Sequence, residues 1–102
     1  MRRGTTPYFV LEVEGIDLSD KTTIVTIEQD ETELDIKNPE CETTEKGCQI
    51  SFYLTQDQTL QFRSGRASMQ IRWIDEEGLA GATKVKTFSV DKILKEGDIV
   101  YG

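Results

Sequence analysis

The chain has 102 residues, enough for one domain with a core of its own. Its 19 acidic and 12 basic residues leave a net charge of −7, which argues against a nucleic-acid or anionic-membrane partner, because both reward a basic patch. There is no histidine, so the usual base for nucleophilic catalysis is missing, and no stretch is long and apolar enough to cross a membrane as a helix.

Met1–Thr6 reads as a mobile basic tail. Met1-Arg2-Arg3 starts like the basic end of a signal peptide, but no apolar run follows Gly4-Thr5-Thr6-Pro7, so synthesis in the cytoplasm is the expectation. Pro7 opens a strand at Tyr8–Glu14, where a proline costs no central ladder bond. Phe9, Leu11 and Val13 form one face; Tyr8, Val10, Glu12 and Glu14 form the other. Gly15–Lys21 is a loop of turn formers, with Ile16 and Leu18 turned back onto the core. The β-branched run Thr22–Gln29 predicts a strand with Val25 and Ile27 inward. After a turn at Asp30-Glu31, Thr32–Lys37 predicts a short strand carrying Leu34 and Ile36 on one face. Asn38–Gly47 is polar and acidic, and reads as a mobile loop.

The clearest alternation follows. In Cys48–Leu54, residues Cys48, Ile50, Phe52 and Leu54 share a face opposite Gln49, Ser51 and Tyr53. Thr55-Gln56-Asp57-Gln58 fits a capping box, so one turn of helix is expected there. Leu60 and Phe62 then drop into the core, as a connector between two sheets requires. Arg66–Asp75 is a strand with Ala67, Met69, Ile71 and Trp73 on one side. Asp75-Glu76-Glu77-Gly78 is a hairpin turn, followed by a bulge signal at Leu79-Ala80-Gly81. Ala82–Val90 predicts a sixth strand, and Lys92–Leu94 extends it or begins a seventh. Lys95–Gly102 is a polar tail or a last strand, with Ile99-Val100-Tyr101 near its end. Six or seven short strands with turn signals between them, one short helical turn near Thr55–Leu60 and a core Trp73 predict an all-β, immunoglobulin-like β-sandwich over residues 7–94.

Candidate chemistry is sparse. Cys41 and Cys48 both precede Trp73, which excludes the cross-sheet disulfide of antibody domains. In a reducing compartment free thiols are the default; a disulfide across the loop and a metal are the alternatives, the metal disfavoured by too few ligands. No metal or cofactor is expected. Asp17, Asp20 and Asp75-Glu76-Glu77 lack the spacing of a calcium loop, and Gly78-Leu79-Ala80-Gly81 precedes no helix that would make it a phosphate loop. Arg63, Arg66 and Arg72 are expected to pair with carboxylates across strands. Tyr8, Val10, Tyr53 and Ile74 lie on otherwise polar, outward registers, and Tyr101 on the tail. Apolar residues there mark a protein contact, with a homo-oligomer as one form.

Three stretches together carry a resemblance: TPYFVLEVEGIDLSD, SFYLTQDQTLQF and ASMQIRWIDEEGLAGATKVKTFSV. Glu14, Gly15, Asp17 and Leu18 match the end of an opening strand, and Leu54 through Phe62 match a following LTQ-x-x-TL-x-F segment. Gly65, Gln70, Ile71 and Trp73 match the next strand, and Ala82, Thr83 and Val90 the closing one. These resemble small β-sandwich structural proteins of phages and prophages of Gram-positive bacteria and, more distantly, immunoglobulin-like N-terminal domains of phage baseplate proteins. The resemblance implies a non-enzymatic virion- or tail-associated module without catalytic residues, made in the host bacterial cytoplasm and carried into the virion. The rival expectations are a carbohydrate- or receptor-binding module and an acidic inhibitor of a host DNA-binding protein.

Overall fold

The computed structural model describes all 102 residues and contains eight strands and one short helix. In chain order these are β1 (Tyr8–Glu14), β2 (Thr22–Gln29), β3 (Thr32–Lys37), β4 (Glu40–Thr43), β5 (Gly47–Tyr53), α1 (Gln56–Leu60), β6 (Gly65–Ile74), β7 (Ala80–Ala82) and β8 (Lys86–Val90). Two antiparallel sheets pack face to face. The smaller has the order β1-β5-β4; the larger runs β3-β2-β6, with β7 and β8 both against the far edge of β6. The all-β sandwich expected from the alternation is the observed fold.

Side-chain alternation decides which faces meet. Val13, Cys48, Ile50 and Phe52 of the small sheet face Val25, Ile27, Ala67, Met69, Ile71 and Val90 of the large one. Leu18 closes one end from the β1–β2 loop, and Leu54 and Phe62 fill the other. Phe9 stacks on Phe52 at 5.1 Å between ring centroids and meets Phe88 edge-on at 6.1 Å, which joins the sheets where β1 faces β8. The connector between β5 and β6 makes the crossing. Thr55 caps α1: the Gln58 N–H donates to its Oγ1 at 3.1 Å, and the Thr55 N–H donates to Gln58 Oε1 at 2.9 Å.

One buried polar side chain fixes the end of that connector. Gln29 Nε2 donates to the Arg63 and Arg66 carbonyls at 2.7 and 3.3 Å, and its Oε1 accepts from the Arg63 N–H at 2.8 Å. The amide thus stands in for a strand partner where the chain enters β6.

Several expectations change. Part of the polar segment Asn38–Gly47 is β4, which pairs with β5 from Glu40↔Ser51 to Thr43↔Cys48. A four-residue edge strand has one inward residue, Cys41, so hydrophobic periodicity had nothing to report. The chain turns at Gly47, where a Cβ would lie 2.1 Å from the Val13 carbonyl oxygen. The expected sixth strand is two: β7 and β8 are separated at Thr83–Val85, where Thr83 binds back to Ile71 of β6. Lys92–Leu94 forms no strand. Met1–Thr6, expected to run free, lies against the sandwich. Arg3 donates to the Phe62 and Leu60 carbonyls and pairs with Glu96, and Arg2 forms a parallel bridge with Asp91. The C-terminal tail forms no strand either; the Gln56 amide holds Ile99 through two bonds of 3.0 and 2.9 Å.

Candidate functional site

The five residues singled out as contacts are all exposed, but they fall in three places. Tyr8, Val10 and Tyr53 share the outer face of the small sheet. Tyr8 and Tyr53 are direct partners across β1 and β5, with ring centroids 4.5 Å apart. Val10 lies one row further along, opposite Ser51, so the three form one patch at one end of the face. Ile74 lies on the outer face of the other sheet, between Thr22 and Ala80. There it borders a shallow groove of about 260 Å³ that Ile24, Trp73 and Ala80 also line. Tyr101 stands free at the end of the tail, with Ile99 and Val100 exposed beside it.

The edge beside the tyrosine patch is open. β1 pairs with β5 alone. The Leu54 N–H donates to the Pro7 carbonyl at one end of this ladder and the Gly15 N–H to the Lys46 carbonyl at the other. Direction alternates along an antiparallel strand, so Phe9, Leu11 and Val13 also face β5. The N–H and C=O groups of Tyr8, Val10, Glu12 and Glu14 therefore point away from the sheet. Other edges carry recognisable protection. β3 presents Glu33, Asp35 and Lys37, β4 has four residues, and the β7/β8 edge is interrupted. β1 is longer and continuous, with apolar residues on both faces at its first half.

The rest of the small sheet's outer face is acidic. Glu12 and Glu42 flank Gln49, and Glu40 lies across Ser51 from Val10. With Glu14 this makes four carboxylates, and β1, β4 and β5 contain no basic residue. The arginines grouped in sequence disperse. Arg63 pairs with Asp30, Arg66 donates to Thr87 Oγ1 at 3.0 Å, and Arg72 lies between Ile24 and Ala82. Carboxylate pairing is thus found for Arg63 alone.

A second cluster joins three segments. Cys41 of β4 and Cys48 of β5 are diagonal neighbours on the inner face, both free thiols. The β1–β2 loop adds Asp17, and the ligand atoms of the three lie within 4.8 Å of one another. Cys48 is buried and Cys41 half-buried. Burial, the neighbouring Cys48 thiol and the Asp17 charge push the Cys41 thiol up to about 11, so it is a poor nucleophile near neutral pH. Asp17 is held the opposite way. The Ser19 N–H donates to Oδ1 at 3.0 Å and the Thr43 hydroxyl to Oδ2 at 2.8 Å, which keeps its carboxyl below the ordinary range. A solvent-open cleft reaches Cys41 between Leu18, Lys21 and Asn38. Thr23 lines the same cleft, and its buried hydroxyl has no hydrogen-bond partner. Sequence reading placed both cysteines but missed Asp17 as their neighbour, because β2 and β3 separate it from them along the chain. No family model, curated protein sequence or solved structure matches the chain.

Proposed function

We propose that the protein is a non-enzymatic, phage or prophage virion- or tail-associated structural module of immunoglobulin-like form. It acts through protein–protein contact at the β1 edge and the adjoining patch of Tyr8, Val10 and Tyr53. The observation that carries this reading is the coincidence of an apolar patch with an unpaired, uninterrupted strand edge. Such an edge adds a strand from another chain through main-chain bonds, and flanking pockets and side chains select which one. The strand order supports the immunoglobulin-like assignment. β1, β5 and β4 stand in the order of strands B, E and D, while β3, β2, β6 and β7/β8 stand in that of C′, C, F and G. Strand A, which would cover the β1 edge, has no counterpart there.

Val10→Asp tests the reading. Val10 is 48% exposed, so the monomer keeps its fold and its circular dichroism. Light scattering over a concentration series then shows association by the parent chain and none by the variant. A variant that unfolds, or that associates like the parent, removes the patch from the contact. The four glutamates on the same face favour one second reading, an acidic surface that occupies a host DNA-binding protein. That reading predicts salt-sensitive capture of a basic partner and no self-association.

A further inference from the structure

We propose that Asp17, Cys41 and Cys48 form a binding site for one thiophilic divalent cation, with zinc(II) the chemical class of choice, through two sulfurs and one carboxylate oxygen. Three side chains with soft or anionic donor atoms come from a loop and two strands and meet within 4.8 Å. Their one nearby lysine, Lys21, is already paired with Asp20 at 2.9 Å. A tetrahedral zinc ion takes sulfur at about 2.3 Å and carboxylate oxygen at about 2.0–2.2 Å, which sets donor atoms roughly 3.5–3.8 Å apart. The cluster therefore has to close by about 1.3 Å at most to reach that geometry.

Three further features fit. The carboxylate is already oriented by the Ser19 N–H and the Thr43 hydroxyl, as ligating groups are by their outer partners. The cleft gives a path from solvent to Cys41, while Asp17 and Cys48 lie off its wall. Thr23, with its unpartnered hydroxyl, lies on that cleft's wall. A Cys41–Cys48 disulfide is the competing use of the thiols. It needs the sulfurs at about 2.05 Å and gives Asp17 no part.

The test uses the full chain, reduced with a phosphine and stripped with a chelator, then titrated with cobalt(II) and afterwards zinc(II). The expected result is one equivalent of cobalt, with thiolate-to-cobalt charge-transfer absorption and the visible bands of a tetrahedral site, lost when zinc displaces it. Cys41→Ser removes the charge-transfer signal or shifts it to a single thiolate, and Asp17→Asn weakens binding at least tenfold, both with unchanged circular dichroism. Cys48→Ala repeats the thiol test without placing a hydroxyl in the core. The proposal is overturned if no charge-transfer absorption develops, if it persists unchanged in Cys41→Ser, or if Asp17→Asn binds like the parent. It is overturned equally if the thiols are consumed as a disulfide, with the chain two hydrogens lighter and no metal retained.

Discussion

Replacing Gln29 by methionine isolates what the buried amide does, because length and volume are nearly kept while donor and acceptor are lost. Gln29 is 6% exposed and its amide makes three hydrogen bonds to the Arg63 and Arg66 backbone. After substitution the Arg63 N–H and C=O lose these partners in a part-buried position. An unsatisfied buried polar group costs about 1–3 kcal/mol. Two such groups, with partial access to water and a more apolar side chain in return, give a net loss of about 2–3 kcal/mol. For a domain of this size that lowers Tm by about 10–20 °C. Urea unfolding followed by circular dichroism reads it as a lower midpoint at unchanged slope. A loss below about 1 kcal/mol would mean that water replaces the amide, and that Phe62 packing and the Arg3 bonds to the Leu60 and Phe62 carbonyls hold the connector without it.

Three further outcomes follow from the same geometry. Gly47→Ala drives a methyl to 2.1 Å from the Val13 carbonyl oxygen, so β1 and β5 must part at that end. Its expected cost is about 2–4 kcal/mol in chemical denaturation, against about 1 for Gly15→Ala, where nothing lies within 4 Å and only the positive φ opposes a side chain. The C-terminal tail is pH-sensitive in both directions. Arg3 holds the Glu96 carboxyl below its ordinary value, so this anchor is present at neutral pH and lost as pH falls through the lowered value. Asp57 raises Asp98, so their shared proton stabilises docking at low pH and is lost as pH rises through the raised value. In Glu96→Gln, exchange of the Ile99 amide relative to free peptide, followed by NMR, therefore quickens as pH rises through the raised Asp98 value; in Asp98→Asn it quickens as pH falls through the lowered Glu96 value. Ile50→Ala, at a fully buried centre of the small sheet, costs about 2–5 kcal/mol and leaves the Tyr8–Tyr53 patch as the indicator of whether the outer face survives.

Much of this fold is written in period-2 alternation. β1, β2 and β3 run between the residues where their apolar registers begin and end, and Thr55 with Gln58 announces α1 through hydrogen-bonding chemistry that is local in sequence. Where the signal was not local, the reading failed. β4 carries one inward residue, and its pairing depends on β5 being there first. Gln29 looks like the polar end of a strand until Arg63, far along the chain, arrives beside it. Arg3 reads as part of a basic tail, yet two carbonyls at the end of α1 and one carboxylate hold it. The contact residues illustrate the same limit. Alternation placed Tyr8, Val10, Tyr53 and Ile74 outward, and all four are outward. It could not say that Ile74 belongs to the opposite sheet, or that Asp17 completes the thiol pair.

In the function proposed above, β1 offers its open edge to another chain. The most direct measurement is residue-resolved amide exchange along Tyr8–Glu14 as protein concentration rises. Phe9, Leu11 and Val13 are expected to be protected throughout, while Tyr8, Val10, Glu12 and Glu14 exchange fast when dilute and become protected as chains associate. Fast exchange of those four at every concentration, alongside a growing particle mass, would place the association away from β1.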